Sequence, residues 1–223
     1  MGMEMIFCAE IGSCHKGIPA LAYEYIRQAS LAGADIAKFQ LGHRYDDEMR
    51  SMPNRYAQEL KSWCDYWDIE FMASILSFDG LGIARRIGQK RYKMAARKPF
   101  AGASRENYDE LFAAMMSDDK EIFVSDGNVP DAHNVHKIWC VSEYPTYPED
   151  VIIPNEFTYW WGYSSHVHGI ADALIAIARG ACYVEKHVTL DKTEESIKDN
   201  HFALSFEEFA QMVRLGKDIA RFS

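Results

Sequence analysis

Residues Ala22–Gln40 read AYEYIRQASLAGADIAKFQ, and the change of period inside this stretch decides the fold class. Ala22, Ile26, Ala29 and Gly33 recur at helical spacing and mark one buried face; Ile36–Phe39 then forms a short apolar run. A helix that hands over within a few residues to a buried strand is the repeating unit of an α/β protein. Working outward, the same alternation recurs. Candidate strands are Met5–Ala9, Ile36–Phe39, Glu70–Ile75, Arg91–Ala95, Glu121–Val124, Lys137–Val141, Tyr159–Tyr163 and Cys182–Lys186. Several are continuous apolar runs, the pattern of parallel strands covered on both faces. Ala57, Leu60, Cys64 and Trp67 mark a second helical face. The last helix opens on a capping box, Ser205-Phe206-Glu207-Glu208, with Phe209, Met212, Val213, Gly216 and Ile219 as its inner stripe. Connections near 130–135 and 148–158 are too short for full helices. Eight alternating runs predict one closed (β/α)₈ TIM barrel spanning 1–223, near the minimum size of that fold, rather than an open doubly wound sheet.

Composition narrows the function. With 48% apolar and 26% charged residues the chain can bury a core, which excludes disordered and collagen-like classes. Its 24 Lys+Arg against 33 Asp+Glu give a formal charge of −9, so neither nucleic acid nor an anionic membrane is an expected partner. Any bound anion must be caught by a local cluster of cations. Cys8, Cys14, Cys64, Cys140 and Cys182 are odd in number, scattered and never in a CxxC pair, which predicts reduced thiols and a cytoplasmic location. The longest apolar stretch, Ala173–Ala178, is too short to span a bilayer, and the first residues have no leader pattern. Whether the barrel forms a homo-oligomer is left open.

In a barrel, chemistry gathers at the C-terminal ends of the strands. Those positions carry Glu10, Lys38, Ser74, Lys93, Arg97, Lys98, Ser125, Ser142, His166, Glu185 and His187. Lys38, Lys93, Arg97 and Lys98 with the hydroxyls of Ser74, Ser125 and Ser142 suit an anion bearing phosphate and carboxylate. Taken singly, each lysine reads equally as a solvated or salt-bridged loop residue. His166 and His187 end neighbouring strands, where two imidazoles could hold a divalent cation or sit as hydrogen-bonded core residues. Glu10, Glu185 and Asp199 are candidate acid/base or hydroxyl-binding carboxylates, or partners of the lysines. The pairs Trp160-Trp161 and Trp63/Trp67 read as packing, and His133 and His136 as members of a polar connection without a role.

These residues also carry a family resemblance. Ala9-Glu10-Ile11-Gly12-Ser13-Cys14-His15-Lys16-Gly17 and Ala32–Gln40 resemble the opening of the sialic acid (N-acetylneuraminate) synthase family. So does the run Ser142-Glu143-Tyr144-Pro145-Thr146. The most specific part is Gly162-Tyr163-Ser164-Ser165-His166, followed by Glu185-Lys186-His187-Val188-Thr189-Leu190-Asp191-Lys192, and the match runs in the family's order from Phe7 to Phe209. The resemblance implies a barrel that condenses phosphoenolpyruvate with an open-chain, N-acetylmannosamine-like aldose, giving a 2-keto-3-deoxy sugar acid and phosphate. It further implies that His166 and His187 hold Mn²⁺ or Mg²⁺, that Lys38, Lys93, Ser74, Ser125 and Ser142 line the phosphoenolpyruvate pocket, and that Tyr144 and Asp199 face the sugar. Glu10 and Glu185 would be nearby carboxylates.

The chain departs from that pattern at named positions. Where the family usually has Gly-Ser-Gly-Glu after strand four, this sequence has Ala95-Ala96-Arg97-Lys98, putting Lys98 at the carboxylate's place. The Ala-Arg pair is similar to DAHP and KDO-8-phosphate synthases, in which the arginine binds phosphate. Ser165 stands for an Asp and Ser142 for an Asn, and the family's C-terminal antifreeze-like domain is not expected within these residues. Two other readings fit the same barrel. One is a Schiff-base aldolase using Lys93 or Lys98 beside Arg97. The other is a sugar-phosphate-binding barrel without turnover.

Overall fold

The computed structural model describes residues 5–43, 45–96, 105–141, 143, 146–194 and 196–222. Eight strands close on themselves in chain order, every neighbouring pair parallel. They are β1 (Ile6–Glu10), β2 (Ile36–Leu41), β3 (Glu70–Ile75), β4 (Tyr92–Met94), β5 (Ile122–Val124), β6 (Val135–Cys140), β7 (Gly162–Ser165) and β8 (Tyr183–His187). The helices are α1 (Pro19–Leu31), α2 (Glu48–Arg55), α3 (Ala57–Tyr66), α4 (Phe78–Arg86), α5 (Arg105–Met116), α6 (Ala171–Ala178) and α7 (Phe206–Ile219). Among the described residues no helix joins β5 to β6, and only a 3₁₀ turn at Pro148–Asp150 lies between β6 and β7. All five cysteines are free thiols, and no helix among the described residues is long and apolar enough to cross a membrane.

Strand alternation sorts each side chain to one wall face or the other. Outward residues such as Phe7, Ala9, Phe39, Phe71, Tyr92 and Val184 join the helices in one apolar cluster. Inward, Cys8, Ile36, Met72, Phe123, Ile138 and Tyr183 form a second, separate cluster that plugs the cylinder. One step further along seven of the eight strands the inward layer turns polar: Glu10, Lys38, Ser74, Lys93, Ser125, Ser164 and Glu185 are all buried. That layering makes the barrel a packed core with a polar floor at its C-terminal mouth, not a pore.

Two local readings are corrected. The seventh strand is Gly162–Ser165 instead of Tyr159–Tyr163, since its hydrogen-bonding partners on β6 begin at Ile138. His136 is not in a polar connection: it belongs to β6, its ring 4.3 Å from that of Trp161 and 5.2 Å from that of Phe123 below the apolar plug. A polar residue between Val135 and Lys137 hides the start of the sixth strand, which the apolar run Lys137–Val141 placed two residues late.

Candidate active site

Register brings the polar layer together. Glu10 pairs with Lys38 across β1 and β2, Gln40 with Ser74 across β2 and β3, and Ser74 with Lys93 across β3 and β4. Lys38 Nζ lies 2.6 Å from Glu10 Oε2 and 3.3 Å from Glu185 Oε1, and donates to Ser74 Oγ at 3.0 Å. Lys93 Nζ donates to Ser125 Oγ at 2.7 Å and to the Met94 carbonyl at 3.2 Å. Glu185 accepts from Ser164 at 2.9 Å and from the Tyr183 hydroxyl at 2.5 Å. Gln40 donates to Glu10 Oε1 at 3.3 Å, while its own carbonyl oxygen meets His43 Nε2 at 2.7 Å.

The two carboxylates flanking Lys38 are held in different states. Burial raises both, but Lys38, Lys93, Tyr183 and Ser164 overcome it at Glu185, whose carboxyl stays well below the usual range. Glu10 has fewer donors and faces the charge of Glu185, so burial pushes it up to about 7. Lys93 is pulled below its ordinary value by burial, with the charge of Lys38 acting in the same direction. Lys38 stays raised against burial by its two carboxylates. The floor of the mouth thus holds a strong base-pairing lysine, a lysine eased toward neutrality, a fixed carboxylate and a carboxyl poised near neutral pH.

Above that floor the two imidazoles meet. Their ring centroids are 5.4 Å apart, and the Phe202 ring stands edge-on to both at 5.4 and 5.0 Å. His166 Nδ1 lies 2.9 Å from the Val141 carbonyl, which can only accept, so Nδ1 carries the proton and Nε2 the lone pair. His187 Nδ1 is buried without a hydrogen-bond partner, 4.0 Å from Asp199 Oδ2. Burial first, then the facing imidazole at His166 and the Lys38 ammonium at His187, lowers both to about 3, so both are neutral at pH 7. Neutral rings, one fixed by a carbonyl and one with an orphaned nitrogen, have the chemistry of metal ligands and fit a divalent cation. Among the described residues no group of three or more His, Cys, Asp or Glu surrounds a common point. Gly12, at φ +53°, makes the turn beside them. A Cβ there would stand 3.2 Å from Asp199 Oδ2 and 3.3 Å from Glu10 Oε1.

Glu10, Lys38, Ser74, Lys93, Ser125, His166, Glu185, His187 and Asp199 therefore line one cavity of about 360 Å³. Arg97, Lys98, Ser142 and Tyr144 lie outside the described residues. Sequence reasoning placed Gln40 and Ser164 at strand ends without a role and missed His43, Tyr183 and Phe202. Gln40, Tyr183 and Ser164 carried a signal, since each follows by strand alternation or pairing from a residue already singled out. Phe202 carried none, being an aromatic residue in an irregular connection.

The family profile of NeuB matches residues 44–222. The chain belongs to the NeuB family. This NeuB chain is 28% identical to the N-acetylneuraminate-9-phosphate synthase of Homo sapiens over 92% of its own length and 67% of the relative's. It is 25% identical to a pseudaminic acid synthase of Campylobacter jejuni, with 94% and 72% covered. The sialic acid synthetase of Leptospira borgpetersenii, solved with citrate, superposes with a TM-score of 0.76 at 22% identity, covering 98% of this chain and 85% of that one, a likeness of fold. A truncated 3-deoxy-D-arabino-heptulosonate 7-phosphate synthase of Thermotoga maritima shares the fold at TM-score 0.67 and 14% identity.

Proposed function

We propose that this NeuB chain is a sugar-acid synthase that condenses phosphoenolpyruvate with an open-chain aldose, assisted by Mn²⁺ or Mg²⁺. One observation carries the reading: two neutral imidazoles and two buried lysines line a single cavity at the barrel mouth. Lys38 and Lys93 supply the positive charge that offsets a phosphate and a carboxylate brought close together. Ser74 and Ser125, already bonded to those lysines, orient the same anion. Where an anion takes over part of Lys38, Glu10 loses its counter-charge and keeps its proton more firmly.

Glu10 is then the group that hands a proton to the aldehyde oxygen as carbon 3 of phosphoenolpyruvate attacks the aldehyde carbon. Water adds at carbon 2, and the carbon–oxygen bond to phosphate breaks. The water oxygen becomes the product's keto oxygen; of its two protons one replaces that lost by Glu10 and the other leaves with phosphate. Glu185, ionised throughout, stabilises the positive charge that develops at carbon 2. His166 and His187 would hold the divalent ion, which supplies Lewis-acid polarisation of the aldehyde when bound. The test is phosphate release from phosphoenolpyruvate with a panel of N-acylated aldoses. Turnover that is removed by a chelator and restored by Mn²⁺ supports the proposal; none with any aldose, metal supplied, overturns it.

Lys93, buried and below its ordinary range, keeps the Schiff-base reading in view. Borohydride trapping with pyruvate decides it, a stable mass adduct on Lys93 favouring the aldolase and an unmodified protein the synthase.

A further inference from the structure

Behind the imidazoles, on the outer side of the barrel wall, lies a charge pair that the proposed chemistry does not use. Lys186 and Asp172 are 1% and 8% exposed. Lys186 Nζ donates to the Val167 carbonyl at 2.6 Å and to Ser165 Oγ at 3.0 Å, and sits 3.3 Å from Asp172 Oδ1. Asp172, in the first turn of α6, also accepts from Ser165 Oγ and, at 3.0 Å, from the Tyr163 hydroxyl. Ser165 Oγ in turn accepts the Val167 amide at 3.2 Å.

The placement is specific. Ser165 and Val167 flank His166, so one ammonium grips the chain on both sides of that imidazole. The same lysine is the residue before His187, and Ser165 pairs with Lys186 in the β7–β8 register. An ion pair this deep costs desolvation that apolar residues would not. Its return here is geometry. Position 165 is also where the chain departs from the resembled pattern, Ser for Asp; in this chain the carboxylate facing Lys186 is that of Asp172 on α6.

We infer that Asp172 and Lys186, linked through Ser165, are positioning residues that set the mutual placement of the His166 and His187 rings. The inference rests on the reading of those rings as a metal pair only for its consequence in affinity, not for the placement itself. The test compares wild type with Lys186→Met/Asp172→Asn, which removes both charges while keeping shape and the Tyr163 bond. The primary readout is the imidazole ring resonances of metal-free protein, with the distant His136 ring as internal reference. The His166 and His187 resonances move, that of His136 stays, and Mn²⁺ affinity falls about tenfold or more, the usual size for groups that orient metal ligands. Ser165→Asp/Asp172→Ala, which relocates the carboxylate beside Lys186, restores the wild-type rings.

Rings unmoved in the double variant overturn the inference, whatever the metal does. Rings that move in a protein whose wild type takes up no Mn²⁺ uphold it and remove the metal reading instead. Were the first double variant to unfold, Asp172→Ala and Ser165→Asp/Asp172→Ala decide as a pair: rings displaced in the first and returned to their wild-type resonances in the second uphold the inference, and any other pattern overturns it.

Discussion

Lys38 has three partners and two of them are acids, so the state of Glu10 depends on what else approaches that ammonium. With its carboxyl at about 7, Glu10 carries a proton for part of the population at neutral pH. If it is the proton donor, kcat/KM falls as pH rises through that value, and Glu10→Gln removes this limb while lowering kcat by two or more orders of magnitude, the usual share of general acid catalysis (about 10²–10⁴-fold). A Gln variant that keeps both rate and pH limb moves the role elsewhere. His166→Ala acts differently: it opens the imidazole pair, and the expected result is loss of Mn²⁺ retention in equilibrium dialysis together with loss of turnover. Sequence reasoning reached these residues because strand ends are countable. It did not reach Phe202, whose ring contacts both imidazoles, because no period places a residue in an irregular connection. Nor did it reach the Lys186–Asp172 pair, since the alternation that puts Glu185 and His187 inside puts Lys186 outside, where a lysine reads as solvated.

At the scale of elements, the barrel was legible where apolar residues fill most of a strand: Glu70–Ile75 is β3 to the residue. It was less legible at β6 and β7, where His136, Lys137 and the serines of β7 interrupt the apolar run. Three helices, α1, α3 and α7, followed from their stripes, and α7 from its cap as well. The capping box of α7 is formed in full, Ser205 accepting from the Glu208 amide at 3.2 Å and Glu208 from the Ser205 amide at 2.8 Å. Ser205→Ala should therefore cost about 1 kcal/mol, read as a lower urea midpoint with unchanged slope. A tighter constraint operates where α4 meets β2. A Cβ on Gly80 would stand 2.6 Å from the Leu41 carbonyl oxygen, a backbone atom that cannot swing aside. Gly80→Ala is expected to destabilise by about 1–3 kcal/mol despite the better helix propensity of alanine, and a neutral result would show that α4 can slide outward.

The whole molecule carries several buried neutral histidines, and that sets its response to acid. Burial lowers His15 to about 4 and His166 and His187 to about 3, against 6.5 in the unfolded chain. Between those values the unfolded state binds protons that the native state refuses, so the stability they contribute is present above about 6.5 and is lost as pH falls toward 4 and 3. At 1.36 kcal/mol per unit, each costs about 2 kcal/mol by pH 5. Glu10 works in the opposite sense. Its carboxyl is raised from 4.5 to about 7, so the native state holds a proton the unfolded chain releases, and lowering the pH from 7 to 5 returns about 2 kcal/mol. Three histidines against one carboxyl leave a net loss. Urea midpoints measured with chelator present should therefore be lower at pH 5 than at pH 7, and His15→Asn should narrow the gap. The choice of His15 keeps the test clear of the imidazole pair: its Nδ1 accepts the Gly17 amide at 3.0 Å within the loop after β1, and an asparagine carbonyl can accept that amide without taking a proton. Equal midpoints at the two pH values would mean that these rings accept protons in the folded protein, and with that the neutral pair at the barrel mouth would be lost.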